Sequence, residues 1–260
     1  MHVPWQESMK VSKLFEQLDR WTQVDTQEEY DNSGAQILQE DADVVAVYIT
    51  LDPTLAAMQR AVQSGANVVL THHPLYFDLP AEEDAPIIDS PAATFAKENK
   101  LSVYSAHTNL DIMDGGLNER VARLIGIKNP VRLTEREGFI GDVDPCTLTQ
   151  YAGVVRDALD EDGIRVYGSA ESQVFKVAVV NGTGGRDENV ITIAKNQGAD
   201  VFVSAEFKHS VIRFALENGL SLIEFTHYKS ELPFVELAAQ IIESKCGVRV
   251  INDPETKLLY

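Results

Sequence analysis

Two adjacent histidines, His72 and His73, follow the apolar run Ala66-Asn67-Val68-Val69-Leu70 and precede Pro74. The run reads as a buried strand bounded by Gly65 and Pro74. The pair then lies just past the strand's carboxyl end, where open α/β folds keep their functional groups. On its own a double histidine is as readily one packed ring and one exposed ring, so the placement of the other donors matters. Five of the six histidines fall in or beside such strand-end loops. His72, His73, Asp111, His227 and Glu231 form a mixed imidazole and carboxylate set, which suits zinc, iron(II), manganese or cobalt better than calcium. Adjacent residues on extended backbone point in opposite directions, so His72 and His73 need not share one ion. That favours two divalent metals with one bridging carboxylate. Two such ions, roughly 3.5–4 Å apart, activate a water and clamp a phosphoryl or ring oxygen. For His107 alone, a satisfied core histidine is the simpler reading and direct ligation the other.

The elements that must position these residues alternate between strand and helix, which predicts an α/β protein. The spacing of Val11, Leu14, Phe15, Leu18 and Trp21 predicts an amphipathic helix over 11–24. Tyr30-Asp31-Asn32-Ser33-Gly34 is turn chemistry. Val44 to Leu51 reads as a buried strand, with Asp52 as helix N-cap and Pro53 at the first helical position of a helix through about Ser64. Pro80 to Pro86 reads as an acidic surface loop. Helices are expected near 92–99, 118–125, 147–159, 189–197, 211–218 and 237–244. Strands are expected near 101–106, 166–167, 175–180, 199–204, 220–225 and 248–251. Pro130 to Pro145, with two glycines and several charges, is the expected lobe boundary or connecting arm. Asn181-Gly182-Thr183-Gly184-Gly185 is a glycine-rich turn that could hold an anion. It lacks the Lys-Ser/Thr tail of a phosphate loop and is more often just a tight turn. A serine or cysteine nucleophile has no supporting motif.

The two halves echo each other. Phe95-Ala96-Lys97-Glu98-Asn99-Lys100-Leu101-Ser102 matches Phe214-Ala215-Leu216-Glu217-Asn218-Gly219-Leu220-Ser221 at six of eight positions. Gly65-Ala66-Asn67-Val68 pairs with Gly198-Ala199-Asp200-Val201, and Val45-Ala46-Val47 with Val177-Ala178-Val179. After the matched strands come His107-x-x-x-Asp111 and His227-x-x-x-Glu231. The expected architecture is therefore α/β with two related α/β lobes, residues 1–128 and 129–260, and a metal cleft between them.

Composition bounds the rest. A chain of 260 residues, 44% hydrophobic, is long enough for two cores. No apolar run approaches the roughly 20 residues of a membrane helix, and the amino terminus has no signal-peptide pattern. Cys146 and Cys246 stand apart and in no motif, so both are expected as small core residues in a reducing compartment, by default the cytoplasm. The net charge of −18, from 40 acidic and 22 basic residues, disfavours direct nucleic-acid binding. A small phosphorylated ligand remains compatible where metal cations screen the site.

Thr71-His72-His73-Pro74-Leu75, Ser105-Ala106-His107-Thr108-Asn109-Leu110-Asp111 and Thr226-His227-Tyr228-Lys229-Ser230-Glu231 resemble three signatures of the NGG-one interacting factor three-like family, also known as GTP cyclohydrolase I type two homologues. Tyr30-Asp31-Asn32-Ser33-Gly34 and Leu51-Asp52-Pro53-Thr54 are similar to its amino-terminal motifs, so the resemblance spans nearly the whole chain. Its usual start falls near Met9-Lys10, which makes residues 1–8 an extension. The resemblance implies two related α/β lobes, a two-metal centre and a ring-shaped homohexamer. It carries over the metal positions onto His72, His73, Asp111, His227 and Glu231. His107 would stand beside them, either as a further ligand or as a partner that holds a ligand in place. One segment departs from the family pattern. Ser204-Ala205-Glu206-Phe207-Lys208-His209-Ser210 stands where Gly-Asp and then a histidine near Ser210 are more usual, so His209 either serves instead or that contact is lost.

Two classes of function follow. One is a metal-dependent hydrolase of a nucleotide or other small phosphorylated or ring substrate, GTP cyclohydrolase-type by resemblance. The alternative is a metal-binding scaffold or regulatory protein with little turnover. The sequence identifies no purine pocket.

Overall fold

The computed structural model describes residues 9–77 and 87–253. The proposed extension at 1–8 and the loop Pro80 to Pro86 lie outside the described residues. The chain divides into two compact units: the residues up to Met113 joined by those from Phe234 onward, and Asp114–Pro233.

The first unit opens with α1 (Val11–Trp21), whose Val11, Leu14, Phe15 and Leu18 are buried as the helical spacing predicts. Then follow β1 (Gly34–Ile37), β2 (Val47–Thr50), α2 (Leu55–Gln63), β3 (Val68–Thr71), α3 (Pro91–Glu98), β4 (Ser102–Ser105) and the single-turn α4 (Thr108–Ile112). Every residue of β2, β3 and β4 is buried. That is the continuous apolar signature of parallel strands covered on both faces.

The second unit runs α5 (Leu117–Leu124), β5 (Lys128–Arg132), β6 (Phe139–Thr147), α6 (Leu148–Leu159), β7 (Arg165–Tyr167), β8 (Gln173–Val179), α7 (Glu188–Asn196), β9 (Val201–Ser204), α8 (His209–Glu217), β10 (Ser221–Glu224) and the single-turn α9 (His227–Glu231). The chain then returns to the first unit with α10 (Pro233–Cys246) and β11 (Val250–Asn252).

The first sheet has the order β1-β4-β3-β2-β11 and the second β5-β6-β8-β9-β10-β7. The duplication is visible strand by strand. The parallel trio β2-β3-β4 corresponds to β8-β9-β10, and each trio gains an antiparallel neighbour on its last strand, β1 on β4 and β7 on β10. Each trio is also followed by a one-turn helix that starts at or next to a histidine. The fold is thus mixed α/β with two sheets.

Three features differ from the sequence reading. The expected boundary at 128/129 lies instead at 113/114, and the final helix and strand belong to the first unit. β11 pairs in parallel with β2, from Val250 opposite Val47 to Asn252 opposite Ile49. An ion pair to a buried carboxylate fixes that return, because the partly exposed Arg60 guanidinium on α2 donates to both oxygens of Asp253, at 3.0 and 2.7 Å. Linear order cannot disclose a strand that pairs with the opposite end of the chain. Pro130 to Pro145 is no connecting arm but most of β5 and β6, which pair antiparallel. Finally, α2 is capped by Thr54, whose hydroxyl accepts from the Ala57 N–H, and not by Asp52. No helix among the described residues is long and apolar enough to cross a membrane.

Candidate metal centre

The first unit gathers three imidazoles. At the end of β3, the N–H groups of His72 and His73 both donate to the Leu51 carbonyl, at 3.1 Å, and the Thr71 hydroxyl donates to the His73 carbonyl at 2.8 Å. This folds the backbone out of the extended alternation that would send the two rings apart. Their centroids lie 5.1 Å from each other, and His107 lies 5.1 Å from His72 and 5.4 Å from His73. Each of the three histidines offers a ligand atom within 4.8 Å of the others.

His107 immediately precedes α4, and the turn brings Asp111 back over it through the Asp111 N–H to His107 carbonyl bond of 3.1 Å. Asp111 Oδ2 then stands 3.8 Å from His72 Nε2. His72 is fully buried, with the Phe234 ring 5.2 Å from its own.

What orients these rings is the more informative part. His72 Nδ1 donates to the Ala106 carbonyl at 2.8 Å, His73 Nδ1 to Asp52 Oδ1 at 2.7 Å, and His107 Nδ1 to Asp31 Oδ1 at 2.7 Å. A carbonyl or an ionised carboxylate accepts, so each of these three rings holds a proton on Nδ1 and leaves Nε2 as the nitrogen that can ligate. An acceptor on Nδ1 that fixes the ring in this way is the usual arrangement of a metal-ligating histidine. The Asp31 side chain is fully buried. Burial pushes its carboxyl pKa up, but the hydrogen bond and charge of His107 and the hydroxyls of Thr108 and Ser33 outweigh it and hold the group well below the usual carboxylate range.

The second unit carries a smaller set. Thr226 caps α9 by accepting from the Lys229 N–H, while its own N–H and hydroxyl donate to the buried Glu161 carboxylate. One turn of helix then places His227 Nε2 2.9 Å from Glu231 Oε1. His227 Nδ1 lies 2.9 Å from Glu206 Oε1, so this ring stands between two carboxylates, Glu206 at Nδ1 and Glu231 at Nε2. The glycine-rich turn forms a 3-10 helix, Gly182–Arg186, directly against these donors. Gly182 has φ +57, and a Cβ there would sit 2.8 Å from Glu231 Oε1 and 3.4 Å from His227 Nε2. The site is therefore shaped by backbone alone on that side. His209 is exposed as the first residue of α8 and belongs to neither cluster.

The donor chemistry fits divalent transition metal. Imidazole nitrogens are presented on His72, His73, His107 and His227, and hard oxygens on Asp111 and Glu231. Sequence reasoning picked out these six residues but missed the three carboxylates that orient them. Asp31 reads as turn chemistry, Asp52 as a helix cap and Glu206 as a departure from a pattern. For Asp52 and Glu206 the available signal was a carboxylate just past an apolar strand, which caps share, and Asp31, ahead of β1, offered only turn chemistry.

Residues 9–256 match the model of the family described as Duf34/NIF3 (NGG1p interacting factor 3). Among curated relatives, a Clostridium acetobutylicum protein named GTP cyclohydrolase 1 type 2 homolog is 25% identical, over 95% of this chain and 94% of its own length. A Methanocaldococcus jannaschii protein of the same name is 28% identical, over 94% of this chain and 99% of its own. Among solved structures, a Staphylococcus aureus hypothetical protein, SA1388, superposes with a TM-score of 0.86 at 23% identity, covering 98% of this chain and 100% of that one. Reduced HcgD from Methanocaldococcus jannaschii gives 0.79 at 27% identity, covering 94% and 98%.

Proposed function

Because the chain belongs to the Duf34/NIF3 family, we propose that it binds two divalent metal ions through His72, His73, Asp111, His227 and Glu231, and that it is a metal-dependent hydrolase. His107 serves as a further ligand or holds the others in place. The single observation that carries this reading is the anchoring of four imidazoles, each with Nδ1 held against an oxygen acceptor. Histidines that serve only in packing have no need of that arrangement. A pair of bound ions would supply Lewis acidity and charge neutralisation at a phosphoryl or ring oxygen. The residues themselves orient the donors and, in the case of buried His72 and Glu231, keep them out of bulk water.

The substrate class is taken from the relatives' name, GTP cyclohydrolase 1 type 2 homolog, and the acidity of the chain is compatible with it. A protein of net charge −18 accepts a nucleotide or other small phosphorylated or ring compound when metal cations cancel the local repulsion. The metals are zinc, iron, manganese or cobalt, and the working form is a homo-oligomer, a hexamer by family resemblance, in the cytoplasm. No nucleic-acid or membrane partner is proposed.

Metal-loaded protein assayed against a panel of nucleotides and phosphoesters should turn over at least one member, and His73→Ala and Glu231→Ala should abolish that turnover while leaving the far-UV spectrum unchanged. Full metal occupancy without turnover across the panel would overturn the hydrolase and leave the metal-binding scaffold.

A further inference from the structure

Glu206 stands one residue beyond Ala205 at the end of β9, where the sequence departs from the family pattern. Its backbone has φ +55, a left-handed conformation rare for a long side chain. Neighbouring contacts hold it there. The Phe207 N–H donates to Glu224 Oε1 at 3.2 Å, and the Lys208 N–H donates to the Gly185 carbonyl at 3.4 Å. Glu224 is in turn engaged by the Tyr167 hydroxyl at 2.7 Å. So the segment on either side of Gly185 and Glu206 is tied to β10 and to the glycine-rich turn. Strained backbone persists only when its surroundings over-determine it, and it concentrates at functional sites.

The result of that conformation is a carboxylate with both oxygens engaged. Oε1 accepts from His227 Nδ1, and Oε2 pairs with the Arg186 guanidinium from the glycine-rich turn. Arg186 is exposed, so this pair alone is worth little to stability. The histidine contact repeats, from an unrelated loop, what Asp52 does for His73 and Asp31 does for His107.

We propose that Glu206 is the positioning residue for His227, holding the ring by Nδ1 so that Nε2 is turned to Glu231 and the metal position, and that Arg186 braces it from the glycine-rich turn. This rests on the metal-binding reading, with Glu206 itself making no bond to metal or substrate. The departure from Gly-Asp is then a working substitute, in which the longer glutamate reaches the ring from a left-handed backbone.

The test uses Glu206→Gly in the full chain, with Glu206→Gln as the conservative companion. Glycine relieves the left-handed backbone, so the melting temperature should stay the same or rise. Removing the carboxylate should still weaken zinc binding about 10–100-fold in competition with a chromophoric chelator. Glutamine, whose amide oxygen still accepts from Nδ1, should recover part of that loss. In metal-free protein, imidazole NMR should show the His227 Nδ1 proton hydrogen-bonded and protected from exchange in the wild type and lost to exchange in Glu206→Gly. A variant with wild-type zinc affinity and an unchanged His227 Nδ1 proton signal would overturn the proposal. So would zinc affinity and melting temperature falling together, which is what a merely structural role predicts. Should the wild type bind no zinc, the metal-binding reading fails, while the Nδ1 proton measurement still decides whether Glu206 orients the ring.

Discussion

Gly182→Ala offers a perturbation whose effects on fold and site can be separated. Two terms act on the variant. The left-handed backbone at φ +57 costs an alanine about 1 kcal/mol. The added Cβ, 2.8 Å from Glu231 Oε1, must also displace that carboxylate by roughly half an ångström to reach ordinary contact. Glu231 is 2% exposed, so it has little room to yield. Metal–ligand distances tolerate about 0.2 Å, so the displacement is too large for the site even where the fold absorbs it.

The expected outcome is a loss of about 1–2 kcal/mol in stability, a drop of roughly 2–8 °C in melting temperature. Metal affinity should fall further, by about 10–100-fold. Gly65→Ala is the control. Gly65 has φ +78, but a Cβ there meets nothing within 4 Å, so it carries the backbone term alone. Calorimetric melting and metal competition on both variants read the two terms. If Gly182→Ala takes up metal as the wild type does, or if Gly65→Ala weakens metal equally, the account of the glycine turn as a wall of the site is refuted.

Other consequences can be checked independently. Arg60→Ala strips two hydrogen bonds from the fully buried Asp253 carboxylate and should destabilise the chain by about 3 kcal/mol in urea unfolding, with β11 losing hydrogen-exchange protection first. Lys100 sits at φ +55 at the position that the second repeat fills with Gly219, so Lys100→Gly should raise stability by about 0.5–1 kcal/mol in the same assay. Burial pushes the Cys246 thiol up to about 11, which leaves little reactive thiolate near neutrality. Its alkylation at pH 8, followed by mass spectrometry, should run on the order of 100-fold slower than that of an ordinary exposed cysteine, and should accelerate as pH rises.

The parts of this protein that were legible in its sequence are those that local physics writes. Continuous apolar runs such as Val68-Val69-Leu70 mark parallel strands, and the repeated Phe-Ala-x-Glu-Asn-x-Leu-Ser segments mark corresponding helix–strand units. The spacing His-x-x-x-Asp/Glu appears as one turn of helix in both α4 and α9. Long-range pairings were not legible. The return of β11 to β2 depends on a partner nearly the whole chain away, and nothing in Val250-Ile251-Asn252 names it. The same limit hid the orienting carboxylates. Asp52 has every local attribute of a helix cap, and only the bend of β3 into the Leu51 carbonyl brings His73 onto it. His72 and His73 likewise depart from strand alternation because tertiary hydrogen bonds fold the backbone after Thr71.

Elemental analysis of the purified chain tests the central claim most directly. The account predicts up to two divalent transition-metal ions per chain, restored by reconstitution after chelation and falling sharply in a His72→Ala, Glu231→Ala double variant. A wild-type chain that is metal-free and resists reconstitution, or a double variant that retains the full complement, would contradict it.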